Sequence, residues 1–209
     1  MKLSKLYSDD LRFKSVVFSS GFNIVLGKIT DVSNIDKDCH NLGKTTLIDL
    51  IDYMLLKDLK KSHFLKQKEF KSHTFYLEIE LNSKKYLTIK RNVSKNTKIS
   101  FKLSDTRNND FSHEFNWDYE NLPLKSKDPN TNPKMILNNL LGYNVLSQYK
   151  YRDFLNYFLR TQNDYADEFH LSKYSGSDSN WKPQLFDLLG FDAYPLKEKY
   201  IELVKMSIT

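Results

Sequence analysis

The chain opens on short apolar runs separated by turn-forming residues. Residues 3–7 read as a first strand, Ser8-Asp9-Asp10 as a turn and residues 13–18 as a second strand. Residues 22–26 read as a third strand, an apolar run broken only by Asn23, as in a buried sheet. Residues 28–42 are polar and hold no apolar period, so they read as a loop. From Lys44 the period changes. Leu47, Ile48, Ile51, Met54 and Leu55 recur at helical spacing and form one apolar stripe over residues 44–56. A basic surface segment follows at 57–71, with Phe64 and Phe70 expected to anchor it to the core. The period then returns to two. Phe75, Leu77, Ile79 and Leu81 share a face, Asn82-Ser83-Lys84 turns the chain, and residues 86–93 complete a hairpin. Residues 98–103 add a further strand.

Residues 105–133 are polar, rich in Asn and Asp, and expected to be mobile loops. Pro133 suits the first turn of a helix that runs to Leu141 and stops at Gly142. Short helices are predicted at 151–159 and 184–189, the second behind Trp181-Lys182-Pro183. The last element, 196–206, is a charged helix carrying Tyr200, Ile201 and Val204. It has no C-terminal cap, so it reads as the start of a truncated coiled-coil helix, and the chain as the N-terminal piece of a longer protein.

Composition narrows the class. A chain of 209 residues, 40% hydrophobic and 28% charged, is long enough and mixed enough for a globular core. No apolar run approaches the roughly 20 residues needed to span a bilayer, and the N-terminus has no signal-peptide core. A single cysteine, Cys39, excludes an internal disulfide framework and suits a reducing, cytoplasmic setting. The net charge of +6 permits a DNA or RNA partner without requiring one. Lys57, Lys60, Lys61, Lys66, Lys68 and Lys71 could meet nucleic-acid phosphates, but a charge run is more often a solvated face. Cys39, His40, His63 and His73 fit no common zinc spacing and read as exposed or loop residues. Asp49 and Asp52 read as the solvated face of the helix.

The chemistry is concentrated where the third strand meets the first helix. A phosphate-binding loop needs inward backbone amides, glycine at the tight turn, a lysine for the outer phosphates and a hydroxyl for magnesium. Gly43-Lys44-Thr45-Thr46 supplies the second half of that pattern. Lys44 would meet the terminal phosphates, Thr45 would ligate Mg²⁺, and amides from Asn41, Leu42, Gly43, Lys44, Thr45 and Thr46 would form the cradle of ATP. Gly27 stands where the motif's first glycine belongs. Residues 28–42 separate it from Gly43, about eleven more than the motif's usual spacer. A Gly-Lys-Thr-Thr string also suits an ordinary helix start; the strand-loop-helix context favours the phosphate loop.

Met1-Lys2-Leu3, Leu11-Arg12, Gly21-Phe22-Asn23-Ile24-Val25-Leu26-Gly27 and Gly43-Lys44-Thr45-Thr46-Leu47-Ile48-Asp49 together resemble the N-terminal half of SMC-, RecN- and RecF-type ATPases. These are the ABC-like heads of coiled-coil proteins that act on DNA. The inserted loop closing on His40-Asn41-Leu42-Gly43-Lys44-Thr45 resembles a little-characterised bacterial family of such ATPases. The resemblance implies an α/β fold, a P-loop NTPase half-domain with a mixed sheet around the P-loop helix and an antiparallel β layer alongside. It implies a lobe over residues 1–195 and a coiled coil beginning at 196–209. It also implies that Arg12 lies by the nucleotide and that Gln162 reaches the metal and the attacking water. Walker B and signature motifs are missing from the sequence. The resemblance puts them in a C-terminal half of the same protein, with hydrolysis awaiting that half and dimerisation of the heads. This chain alone would then be inactive as an ATPase, and the whole protein would serve DNA repair, DNA maintenance or defence against foreign DNA. The alternative is a non-hydrolysing protein- or DNA-binding scaffold with a degenerate P-loop. A P-loop kinase or GTPase is disfavoured by the missing Walker B and guanine-specificity motifs.

Overall fold

The computed structural model describes residues 1–26, 43–143, 149–161, 164 and 178–206. The chain divides into two compact units, Met1–Val145 and Leu146–Thr209.

The first unit is built on a six-stranded sheet of order β2-β1-β3-β4-β5-β6. Its strands are β1 (Lys2–Ser8), β2 (Val16–Val17), β3 (Thr74–Glu80), β4 (Tyr86–Asn92), β5 (Lys98–Ser104) and β6 (Tyr119–Pro123). Every pairing is antiparallel, so the expected mixed sheet is replaced, among the described residues, by an antiparallel one. The α/β class holds. The predicted hairpin is β3–β4, with Leu77 opposite Ile89 and Ile79 opposite Leu87. Opposed residues share a face, so the period-two stripe builds one apolar surface. Leu6, Phe75, Leu77, Ile79, Leu87, Ile89, Ile99 and Phe101 line it, all buried.

The first helix, α1 (Lys44–Met54), packs on that surface across β3 and β4. Its stripe buries Leu50, Ile51, Tyr53 and Met54. Full burial of each such side chain is worth about 1.5–3 kcal/mol, so the stripe holds the helix in place. Asp52 is an exception to its predicted solvated face: it is only 9% exposed and pairs with Lys57. Arg91 of β4 locks the helix's C-terminal end. Its guanidinium is fully buried and donates to the Tyr53 and Lys57 carbonyls, the latter at 2.9 Å. It also donates to Asn96 O at 2.8 Å and lies 3.9 Å from the Tyr53 ring. A cation against the last carbonyls of a helix is favourable, and here it replaces their lost water.

The other face of the sheet is polar and aromatic. Tyr7 and Tyr76 stack at 4.8 Å, and Trp117 stacks on Tyr76 at 6.3 Å. Glu78, fully buried, accepts from Ser4 Oγ at 2.6 Å and from the amides of Asn108 and Asn109. These bonds correct the expectation of mobile loops over 105–133. Buried Trp117 and the Glu78 carboxylate pin the segment, and β6 pairs with β5. Asn132 then caps α2 (Pro133–Leu141), accepting from Lys134 N and Met135 N, and Gly142 ends it at φ 73°.

Two strand expectations are corrected. Residues 13–18 yield only β2, because the chain turns back at Phe13, whose amide donates to Asp10 O at 3.0 Å. Residues 22–26 are not a strand. The Asn23 amide group bonds to the backbone of Ser19 and Gly21 instead, and Phe22, Ile24, Val25 and Leu26 stand exposed.

The second unit carries α3 (Tyr151–Phe158), α4 (Asp178–Leu188) and α5 (Tyr194–Met206). Helix α4 starts earlier than predicted and takes Pro183 into its interior. Asp178 in its first turn accepts from Trp181 Nε1 at 3.1 Å, which fixes the start ahead of the proline. Lys197 of α5 reaches Asp187 of α4 at 3.1 Å.

Candidate site at the start of the first helix

Gly43 is the N-cap of α1 and sits at φ 76°, ψ 12°, a left-handed conformation that favours glycine. Among the described residues no side chain caps the helix there. The first-turn amides of a helix have no partner within it, and the helix dipole at that end favours an anion. Thr45 and Thr46 are exposed on that first turn. Lys44 opens the helix, and its side chain is not among those described.

Beside this turn lies a cavity of about 430 Å³. Gly43, Thr46, Leu47 and Leu50 contribute from α1, and Arg12, Phe13, Lys14 and Val16 from the β1–β2 connection and β2. Phe64 and Phe70 come from the basic segment, and Phe75 from β3. The rings form a continuous wall: Phe64 meets Phe70 edge-on at 5.3 Å, and Phe13 meets Phe75 at 5.4 Å. Val25 and Leu26 complete the lining from the segment that fails to become a strand. The cavity thus offers an apolar slot for a flat group. Two cationic side chains and an uncapped helix start lie on the same lining.

Arg12 is oriented. Its Nε donates to Asp10 Oδ1 at 2.9 Å and its Nη2 to Asp10 Oδ2 at 2.7 Å. The Arg12 hydrogen bonds, side chain first and backbone second, hold the Asp10 carboxyl well below the usual carboxylate range, and the pairing raises the guanidinium in turn. His73 Nε2 also stands 3.3 Å from Oδ2, the oxygen that Arg12 Nη2 engages. His73 stands in the loop ahead of β3, one of the two expectations for it, but at 6% exposed it is not a solvent-facing residue. Its ring is packed between Phe70 at 5.5 Å and Phe75 at 5.7 Å. His63 is half-buried rather than free: its Nδ1 accepts from Leu65 N and caps a short 3₁₀ turn.

Of the predicted site residues, Arg12, Gly43 and Thr46 meet on one cavity, and Thr45 stands on the same first turn. Gly27, Asn41, Leu42 and Gln162 lie outside the described residues. Thr45 fits Mg²⁺ in kind, a hard oxygen donor for an ion that keeps waters and substrate phosphates as its other ligands. Among the described residues, no cluster of three His, Cys, Asp or Glu stands together as a metal site of another sort. The aromatic wall and the His73–Asp10 contact went unseen in the sequence. The signal for the wall in the sequence was the pair Phe64 and Phe70 within a lysine-rich stretch. Neither a protein-family model nor a curated protein matches the chain.

Proposed function

We propose that this chain is the ATP-binding lobe of an ABC-type head similar to those of SMC-, RecN- and RecF-type ATPases. The observation that carries the reading is the convergence of Arg12, Gly43 and Thr46 on one cavity at an uncapped helix start. In this reading the first-turn amides and Lys44 bind the phosphates, and Arg12 adds a second cation. Thr45 would hold Mg²⁺, which supplies charge neutralisation of the phosphate oxygens when bound. The residues of this chain bind and orient the nucleotide. A catalytic carboxylate and a signature loop would come from a C-terminal half of the same protein, and closure from pairing of two heads. The exposed apolar run of Phe22, Ile24, Val25 and Leu26 supports a further protein surface docking beside the site. The work of such a machine would be in DNA repair, DNA maintenance or defence against foreign DNA.

Calorimetric titration of ATP into the chain tests the reading. Lys44→Ala should weaken binding by about tenfold or more, the range expected when a charged hydrogen-bond partner is lost. Affinity that ignores the substitution would sink the nucleotide reading and favour the non-hydrolysing scaffold.

A further inference from the structure

We propose that Asp10, held against buried His73, is a positioning residue that presents the outer edge of the Arg12 guanidinium to an anionic group of the bound nucleotide; the inference rests on the ATP reading above. A guanidinium has five N–H donors in a rigid plane. Asp10 engages its side edge, through Nε and Nη2. Among the described residues the Nη1–Nη2 end takes no second partner, and this is the fork that matches phosphate or carboxylate. Arg12 lines the cavity shared with Gly43 and Thr46, which sets its side chain beside the site.

Asp10 is itself held firmly. Its amide donates to Ser8 Oγ at 3.2 Å, and Ser8 Oγ donates to Thr74 O at 2.9 Å. Neighbouring Asp9 accepts from Thr74 N at 2.8 Å, tying the turn to the first residue of β3. His73 faces Oδ2 from between two rings of the cavity wall. The arrangement is a closed circuit: cavity wall, His73, Asp10, Arg12, cavity. An ion pair with an arginine 72% exposed contributes little to stability. What it supplies is orientation. A long side chain fixed before the ligand arrives loses less entropy on binding.

The test is a double-substitution cycle read by ATP calorimetry on the full 209-residue chain. Asp10→Asn keeps an Oδ1 acceptor for the Arg12 amide, so the turn persists, and an unchanged melting temperature checks this. Asp10→Asn should weaken ATP binding roughly threefold to tenfold, as for coupled neighbours. Arg12→Ala should weaken it at least as much, and the double variant should be no weaker than Arg12→Ala alone. In the wild type the Arg12 Nε–H NMR signal should shift on ATP addition, and Asp10→Asn should abolish that shift. Unchanged affinity in Asp10→Asn, or effects of the two substitutions that multiply, would overturn the proposal. If binding still depends on Lys44 in that case, the nucleotide reading stands and only the positioning role falls. If Lys44→Ala has no effect on wild-type binding, both fall together.

Discussion

Single buried side chains decide how the first helix is held, and one of them makes the hold pH-dependent. Tyr53 is 1% exposed and its hydroxyl donates to Asn92 O at 3.3 Å. Burial pushes that hydroxyl from 10.0 up to about 12, with the nearby Arg91 charge acting the other way. Between those two values the folded chain keeps a proton that the unfolded chain has released. Stability is therefore complete below pH 10 and is lost as pH rises through the folded value. The loss from Tyr53 alone should be on the order of 2 kcal/mol by pH 12. Tyr76, also raised to about 12, mainly by burial and then by the charges of Asp9 and Asp110, adds a second share. Urea unfolding from pH 8 to 12 should show this decline, and Tyr53→Phe should flatten it partly. An identical slope in the variant would place the alkaline lability elsewhere.

At the scale of elements, legibility followed periodicity. Helix α1 and the hairpin β3–β4 were readable because their apolar stripes are long and each has one period. Strand β6 was not, because Trp117, Leu122 and Leu124 stand singly among polar residues, and their burial is decided by β5 and the far face of the sheet. Residues 22–26 misled in the opposite direction. An apolar run predicts a strand only if another strand lies beside it, and here the Asn23 side chain takes the backbone bonds of Ser19 and Gly21. The candidate site divides in the same way. Gly43 and Thr46 were legible from local spacing, and Arg12 from resemblance. The wall of Phe13, Phe64, Phe70 and Phe75 comes from separate segments that only tertiary folding joins. The helix start offers its own test. Among the described residues a Cβ on Gly43 would meet no atom within 4 Å, so the opposition to Gly43→Ala that they show is the left-handed backbone. It should cost about 1–2 kcal/mol in urea unfolding. Gly142→Ala at φ 73° should cost a similar amount, with Asn82 Nδ2 in ordinary contact at 3.8 Å. Only the substitution at Gly43 should also weaken ATP binding, since it disturbs the amides that would face the phosphates. Equal effects of the two on ATP affinity would mean that general destabilisation, not the site, is being measured.

The chain divides into two compact units. Apart from Gln162, which belongs to the second unit and lies outside the described residues, the parts assigned to nucleotide binding fall in the first. The sheet, α1, α2, the aromatic cavity, Asp10, Arg12, His73 and residues 43–46 all lie within Met1–Val145. That unit has its own apolar face, its own covering helix and a buried Arg91 clamp that fixes one on the other. Its length is that of an ordinary domain, enough to bury a core without help. A fragment of residues 1–143 should therefore unfold cooperatively in urea. It should also bind ATP within about a factor of two of the full chain if the second unit takes no part in the grip. The residue exchanges above give this comparison its resolution. Lys44→Ala should lower the affinity of the fragment and of the full chain by the same factor if the phosphates are held by the first unit alone. A fragment that folds but loses most of its affinity would assign part of the grip to residues 146–209, and the binding lobe would then need both units.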